Sequence, residues 1–286
     1  MDFHLRWFDR YLKGVAGPAS EPAVRYFVMG TGDGHKDAAT GRLAHGGYWR
    51  EAASWPPAEG LAVRYYMHGD GSLSTRLPVG VEKTQFTFDP EHPVPTIGGG
   101  VSARLKDGAF DQRERSDFYG SRAPWLPLRS RADVLVFETR PLAEDVMIAG
   151  PVTVELFASS SAVDTDFTAK LVDVYPASVS FPLGFDLNLT DAILRGSYRG
   201  GTKVRKLMTP GSVYSLTIRP FDTANVFKKG HRIRVDVSSS NFPRFDVNPN
   251  TGEPLGRNRR MVKAEQSIYH SGQRASSVVL WVMPGR

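Results

Sequence analysis

Short apolar stretches separated by turn residues fill most of the chain, and this pattern predicts a mainly β protein. Nine segments have the apolar runs or the period-two alternation that are typical of strands. These segments are 24–29, 61–67, 84–88, 134–138, 152–158, 167–175, 213–219, 232–238 and 277–283. Turn pairs such as Gly150-Pro151 and Pro210-Gly211 lie between them. Many strands with few helices predict an antiparallel β-sandwich of two packed sheets with jelly-roll topology.

The start of the chain has a different periodicity. An apolar stripe recurs there at helical spacing and Gly14 follows it, so we predict one amphipathic helix of about three turns. The stripe consists of Phe3, Trp7, Phe8, Tyr11 and Leu12. Because an aromatic stripe of this kind has to pack against something, we interpret the helix as the last one of a preceding domain.

The remaining segments carry less regular patterns. Besides the first helix, only two short segments, near 190–194 and 223–227, are compatible with a helix, and Thr223 could cap the start of the second. Residues 30–60 and 98–131 lack a periodic pattern. Because unstructured loops of that length are unusual in a compact domain, we expect both to serve a site or an interface.

The composition excludes several classes of site. The 286 residues contain no cysteine, which rules out disulfides, thiolate nucleophiles and cysteine-bound zinc. The formal net charge is +6, and the densest basic stretch, 257–263, is diluted by Asn258. We interpret that stretch as a solvated loop and not as a nucleic-acid surface. An acidic partner domain would also account for the excess of positive charge.

The sequence contains no membrane signal. No apolar run reaches the ~18 residues that a bilayer span requires, and the first residues lack the apolar core of a signal peptide. The sequence therefore indicates a cytoplasmic protein, with neither a membrane nor a nucleic acid among its expected partners.

Several long motifs resemble those of the cocaine esterase/X-Pro dipeptidyl-peptidase (CocE/NonD) family of hydrolases. The helix WFDRYLKG is similar to the end of the family's α/β-hydrolase domain, and VRYFVMG and YWREAASWPP are similar to its exit into the next domain. Further matching motifs are FDPEHPVPTIGG, DQR, DVLVFETRPL, SSSAVDTDFTAKLVDVYP and GHRIRVDVSSSNFPRFDVNPNTG. The resemblance covers essentially the whole chain. It is interrupted by TGDGHK, where the family usually carries a Trp, and by an insertion at 113–131.

The resemblance implies a division of the chain into two parts. Residues 1–23 would be the last helix and exit linker of an α/β-hydrolase domain absent from the chain, and residues 24–286 the family's C-terminal jelly roll, of galactose-binding-like type. The family hydrolyses esters, amides or X-Pro peptides through a Ser-His-Asp triad located in the hydrolase domain. The resemblance therefore implies a catalytic domain as the partner of the helix stripe, and it implies neither a cofactor nor a metal.

The resemblance also implies a contribution to the substrate pocket. In the family, the segment just after the glycine run at 98–100 walls the acyl pocket. Here that segment is Val101, Ser102, Ala103 and Arg104. It departs from the apolar and aromatic residues expected at such a wall.

The residues themselves provide no complete catalytic site. No serine has glycine at both minus two and plus two, as the nucleophile elbow of an α/β-hydrolase requires. None of the seven histidines has zinc-binding spacing, and we interpret His231, between Gly230 and a strand, as a turn residue and not as a base. We therefore expect no catalytic residue in this chain and no turnover from the chain alone.

A cluster of aspartates raises the question of carboxylate or calcium chemistry. Asp164 and Asp166 are two residues apart, and Asp173 follows within the same motif. No run of oxygen ligands resembles a calcium loop. We favour pairing with arginine, or the capping of a turn, over a metal site.

Three hypotheses of function follow. The first is an accessory domain of a serine hydrolase, whose exposed stripe would promote self-association or make the helix fray or fold back. The second is a free-standing carbohydrate-binding jelly roll, in which Trp49, Trp55, Tyr65 and Tyr66 would stack on sugars, although aromatic residues on strands are more often core. The third is an intact enzyme with an unrecognised site among the histidines.

Overall fold

The computed structural model describes residues 2–17, 22–80, 83–98, 108–254 and 256–285. Within these ranges the chain forms one α-helix, two short 3-10 helices and fourteen strands. The helix α1 spans Asp2–Lys13, and the 3-10 helices span Leu128–Ser130 and Gly196–Tyr198. The strands are β1 (Val24–Val28), β2 (Tyr48–Ala52), β3 (Leu61–Met67), β4 (Leu73–Ser74), β5 (Lys83–Phe88), β6 (Leu135–Glu138), β7 (Val146–Ser160), β8 (Asp166–Tyr175), β9 (Phe185–Arg195), β10 (Tyr214–Ile218), β11 (Thr223–Phe227), β12 (Arg232–Ser238), β13 (Ala264–Tyr269) and β14 (Ser277–Val282).

The large sheet is organised around β7. Its strand order is β4-β3-β14-β7-β13-β5, and β10 and β11 also pair with β7. The ladders that β7 makes are antiparallel. Gly150 lies within β7 with a φ of 154°, and an added Cβ would approach the Cβ atoms of Pro56 and Trp281 to 2.9 Å. Glycine is therefore required where other segments pack closely on this strand.

The small sheet faces the large one and completes the sandwich. Its order is β6-β12-β8-β9, with antiparallel ladders throughout. The core lies between the sheets and includes Phe167, Leu171 and Val235 from the small sheet and Leu156 and Val278 from the large one, all almost completely buried. Burying each such side chain contributes roughly 1.5–3 kcal/mol, so this core supplies most of the stability of the fold.

A separate hairpin covers part of the outer face of the large sheet. β1 and β2 pair in antiparallel fashion, and Tyr26 and Val28 point towards Ala149 and Val226 of the large sheet. Neighbouring Ile148 belongs instead to the core between the sheets, as the alternation of a strand requires. The hairpin is thus a third layer on the sandwich.

The long segment between β5 and β6 covers the outer face of the small sheet. Val94, Ile97, Phe118 and Leu128 form an apolar cluster that packs against Val136 of β6. A backbone hydrogen bond of 2.7 Å from the Thr96 amide to the Phe242 carbonyl fixes one part of the segment. We name the described parts of this segment, 89–98 and 108–134, the covering segment.

The main fold prediction is confirmed, and some local ones are wrong. The protein is mainly β, an antiparallel β-sandwich with one opening α-helix in the described residues, as the periodicity indicated. Residues 190–194 and 223–227 are strand and not helix, because they pair in β9 and β11. Residues 30–60, expected to be unstructured, contain β2. Every residue of β11 is buried, so it lacks the alternation by which strands are recognised.

Candidate functional site

His231 lies in an aspartate–histidine pair at one end of the sandwich. Its Nδ1 is 2.9 Å from Asp173 Oδ1, and Asn225 donates from Nδ2 to Asp173 Oδ2 at 3.1 Å. The Tyr175 ring packs against the imidazole with ring centroids 4.1 Å apart. Burial raises the pKa of Asp173, and the hydrogen bond with His231 opposes this rise. The pair has the geometry of the base and orienting acid of a triad, but within the described residues no serine hydroxyl hydrogen-bonds to His231.

A serine–histidine contact occurs on a different histidine. His68 Nε2 lies 2.9 Å from Ser74 Oγ, where β3 meets β4. In the described part of the chain, no carboxylate hydrogen-bonds to the His68 ring. A triad needs nucleophile, base and orienting acid in one continuous set of hydrogen bonds. His35 with Asp33 and His92 with Asp89 form two further aspartate–histidine pairs, and no serine hydroxyl of the described residues hydrogen-bonds to either ring. The serine and the aspartates thus contact different histidines, so the described residues contain no complete triad.

The most deeply buried histidine, His270, has a structural environment. Its side chain is completely buried, and Nε2 lies 2.8 Å from Thr84 Oγ1. The Phe137 ring packs against it at a centroid distance of 5.4 Å. Burial lowers the pKa of His270 to about 4. The imidazole is therefore neutral at neutral pH and inaccessible to a substrate.

Two of the three aspartates pair with arginine, as predicted. Asp166 accepts two hydrogen bonds of 2.9 Å from Arg195, one on each carboxylate oxygen. Asp164 accepts a bond of 3.0 Å from Arg205 and a bond of 2.9 Å from the Ser197 hydroxyl. Asp173 differs, because its partners are the histidine and asparagine described above. Among the described residues, no group of three or more histidine or acidic side chains is placed to hold a metal ion.

Of the four aromatic residues proposed for sugar binding, Trp49, Trp55 and Tyr65 lie in three different environments. Trp55 donates from Nε1 to Asp222 Oδ2 at 2.6 Å and packs on the hairpin cluster. Tyr65 packs on the core between the sheets. Trp49 is exposed and lies beside Phe27, at a ring centroid distance of 5.4 Å. Nothing in this distribution resembles the continuous platform that stacking on a sugar chain requires.

The apolar stripe of α1 faces solvent. The predicted helix is confirmed, and it ends before Gly14, which has a φ of 68°. The side chains of the stripe are between 48% and 76% exposed, whereas the core of the sandwich is closed. The stripe members are Phe3, Trp7, Phe8, Tyr11 and Leu12. Exposed apolar patches of this kind are uncommon on monomers and mark contact sites.

Val101, Ser102, Ala103 and Arg104, which the resemblance implies as a pocket wall, lie outside the described residues, but the flanks of their segment are described. Gln112 donates from Nε2 to the carbonyls of Ile97 and Phe110, at 3.2 and 3.4 Å. Its Oε1 accepts a bond of 3.2 Å from Lys170 Nζ. One buried amide therefore ties together the chain before and after the segment, and fixes both sides to the small sheet.

The outer face of the small sheet carries a buried charge cluster that sequence reasoning missed. Arg234 is completely buried and pairs with Asp186 at 2.9 Å and with Asp236 at 2.8 Å. Lys170 is also buried, and burial lowers its pKa, while Asp191 and Asp236 oppose that effect. The sequence RIRVDVS places charges on one strand face, which normally indicates solvent. Here the covering segment takes the place of solvent, and strand alternation alone could not reveal this.

No helix in the described ranges combines the length and apolar character that a bilayer crossing requires.

A comparison with protein-family models places the chain among non-catalytic domains. Residues 16–279 match the family described as the X-Pro dipeptidyl-peptidase C-terminal non-catalytic domain. The cocaine esterase of Rhodococcus sp. (strain MB1 Bresler) is 36% identical over 290 residues, which cover 97% of this chain and 45% of that esterase. The chain thus spans about half the length of this relative.

Solved structures agree with the sequence comparison. An aminopeptidase from a marine sediment Thaumarchaeota archaeon superposes with a TM-score of 0.74 and 27% identity, over 97% of this chain and 43% of that one. An α-amino acid ester hydrolase superposes with a TM-score of 0.72 and 31% identity, over 96% of this chain and 43% of that one. The match to the family model spans most of the chain and includes both sheets of the sandwich. The chain therefore belongs to the family of X-Pro dipeptidyl-peptidase C-terminal non-catalytic domains, as its motifs indicated.

Proposed function

We propose that this chain is the C-terminal accessory β-sandwich of a CocE/NonD-type serine hydrolase. In this proposal the whole enzyme hydrolyses esters, amides or X-Pro peptides in a separate α/β-hydrolase domain, normally in the same chain. The sandwich packs on that domain and shapes its substrate pocket. The division into residues 1–23 as exit helix and linker and 24–286 as sandwich is part of the same proposal.

The observation that carries the proposal is the combination of the family match with an incomplete catalytic set. Residues 16–279 match a domain described as non-catalytic. The described residues place a serine on His68 and an aspartate on each of His35, His92 and His231, and none of these histidines has both. A domain of this kind can position a substrate or a partner, but its described residues do not join a nucleophile to a base and an acid.

The helix stripe is the proposed contact with the catalytic domain. Its exposed aromatic rings include Trp7, whose ring centroid lies 4.8 Å from that of Tyr11. Leaving such a surface in water costs about 25 cal/mol for each Å² of apolar area. Packing on a hydrolase core removes that cost. The isolated chain is expected to self-associate through the same stripe.

The covering segment is the proposed support of the pocket wall at Val101, Ser102, Ala103 and Arg104. The Gln112 side chain joins the two sides of the segment, as described above. In addition, the backbone N–H of Gln112 donates to the backbone carbonyl of Asp186 at 3.0 Å. A wall that contacts substrate has to be held in a fixed place, because small displacements lower the rate of the catalysed step.

A domain exchange tests the proposal. The part of the Rhodococcus cocaine esterase that matches this chain is replaced by this chain, and hydrolysis of a nitrophenyl ester is measured. We expect the hybrid to hydrolyse the ester and the esterase truncated at the same boundary to be at least tenfold less active. A folded hybrid with no more activity than the truncated esterase would contradict the accessory role.

A variant of the hybrid tests the interface separately. Trp7→Ser and Phe8→Ser in the hybrid are expected to lower its activity and its melting temperature. Leu77→Ser and Val79→Ser, which change two exposed apolar residues of a loop, provide the matched control. Equal effects of the two double variants would show that the stripe is not the contact.

A further inference from the structure

Two loops that are distant in sequence meet at one end of the sandwich. The first, 199–207, follows β9 and the 3-10 helix Gly196–Tyr198, and the second, 246–263, is the last part of the connection from β12 to β13. A Cβ added at Gly252 of the second loop would lie 3.2 Å from Leu207 Cδ2 of the first. We name the exposed residues of 203–207 and 256–263 the basic surface.

Buried aspartates hold both loops in place. Asp164 binds Arg205 of the first loop, and Asp166 accepts a hydrogen bond of 2.8 Å from Asn248 Nδ2 of the second. The Arg199 guanidinium donates to the Lys206 carbonyl at 2.6 Å, which braces the first loop from within. In the second loop, Asn250 Nδ2 donates to the Val262 carbonyl at 2.7 Å. The basic surface is therefore preorganised and not a pair of free tails.

The net charge of the protein is concentrated in these loops. Together, 199–207 and 246–263 contain eight lysines and arginines and two acidic residues, an excess equal to the +6 of the whole chain. The side chains of Lys203, Lys206 and Arg257 form no ion pair with any residue in the described ranges. From the sequence alone, only the basic stretch of the second loop was recognised, and it was interpreted as a solvated loop. The structure adds a second basic segment beside it.

Aliphatic side chains alternate with the cations on the same surface. Val204 is 73% exposed between Lys203 and Arg205, and Met261 is 46% exposed next to Arg260. Leu207 and Val262 are exposed as well. The basic surface itself contains no aromatic residue, and Tyr198 and Phe245, which lie just outside the two loops, are partly buried. Nucleic-acid surfaces use aromatic rings for stacking, whereas interfacial membrane contacts combine cations at the headgroups with apolar side chains below them.

We propose that the basic surface docks the protein peripherally on an anionic lipid surface. Cations of both loops contact the phosphate headgroups, and Val204 and Met261 enter the boundary between headgroups and acyl chains. This contact is peripheral and needs no spanning segment. It is independent of the proposed accessory function, because it uses neither the helix stripe nor the covering segment.

Vesicle sedimentation with the full chain tests the proposal. The probes are vesicles of phosphatidylcholine alone and of phosphatidylcholine with phosphatidylglycerol. We expect binding only to the second kind, and weaker binding as salt concentration rises. Each Lys or Arg near an anionic membrane contributes roughly fivefold to binding. The triple variant Lys203→Gln, Lys206→Gln, Arg257→Gln should therefore bind on the order of 100-fold more weakly.

A matched triple variant separates a local surface from net charge. Lys36→Gln, Arg76→Gln and Arg140→Gln remove the same charge at exposed positions elsewhere, and we expect binding to change less than threefold. A further double variant, Val204→Ser with Met261→Ser, keeps every charge and should weaken vesicle binding about tenfold by removing buried apolar area.

Three results would overturn the proposal. The first is an absence of binding to anionic vesicles at low salt, and the second is equal weakening by the two triple variants. The third is binding to a single-stranded oligonucleotide that is tighter than binding to anionic vesicles and that is unchanged in the Val204/Met261 variant. This result would make the surface a nucleic-acid site. Unaltered melting temperatures of all variants confirm that each comparison is made on folded protein.

Discussion

The sandwich and α1 differ in which side chains they bury and which they expose to solvent. In the sandwich even charged groups are enclosed, and Arg234 and Lys170 lie buried beneath the covering segment. In α1 large apolar groups face water, and Leu12 is 76% exposed. A buried charge needs an oppositely charged partner within the same fold, whereas an exposed apolar patch marks a contact site for another domain or molecule.

This difference separates what the chain stabilises for itself from what it offers to others. Arg234 has both of its carboxylate partners within the sandwich, and Gln112 connects the covering segment to the small sheet. The sandwich thus has the internal contacts of a self-sufficient unit. The stripe of α1 is exposed instead, which is why it, and not a sheet face, is the proposed contact with a catalytic domain.

The largest expected effect concerns the buried charge cluster. Arg234→Ala leaves the carboxylates of Asp186 and Asp236 buried without their cation, and we expect a loss of about 3–5 kcal/mol in the free energy of unfolding. Urea denaturation of the purified chain measures it. Arg232→Ala is the control from the same strand: Arg232 is 36% exposed and lies 3.6 Å from Glu138, so its loss should cost less than about 1 kcal/mol. Similar losses for both variants would mean that the covering segment does not exclude water from the cluster.

The next effect is a pH dependence set by His270. Its pKa lies near 4 in the folded chain against 6.5 when unfolded, so acid favours the unfolded state. Stability from the neutral imidazole is complete above pH 6.5 and is lost as pH falls towards 4, by up to about 3 kcal/mol. His270→Gln should remove this part of the slope. Carboxylates with raised pKa, such as Asp166, act in the opposite direction, so the difference between wild type and variant is the quantity to measure.

The smallest effect on stability is expected for the helix. Trp7→Ser with Phe8→Ser should leave the melting temperature of the isolated chain unchanged, because both side chains are exposed. It should lower light scattering by reducing self-association. A loss of several degrees from a wild-type chain that is already monomeric would show that the helix belongs to the sandwich core.

Sequence patterns predicted the parts of the fold that depend on one strand at a time. The alternation in 232–238 identified β12, and the apolar spacing in 3–12 identified α1. The patterns failed where a strand is buried on both faces, as in β11, because alternation disappears there.

Contacts between residues far apart in the chain could not be predicted from the sequence. Asp164 and Asp166 were recognised as candidates for pairing with arginine, but their partners Arg205 and Arg195 lie 41 and 29 residues away. The buried role of Lys170 depends in the same way on Gln112, 58 residues away. Spacing along a strand gives the direction of a side chain but not the segment that will cover it.

The most direct test of the central claim is an activity measurement on the isolated chain. Hydrolysis of a nitrophenyl ester and of an X-Pro anilide is followed with the purified protein, and the Rhodococcus cocaine esterase serves as the positive control for the ester. We expect no turnover above background, and no labelling by a fluorophosphonate that reacts with activated serines. Turnover that disappears in Ser74→Ala, the variant that removes the hydroxyl beside His68, would contradict the accessory role and make the chain an enzyme in its own right.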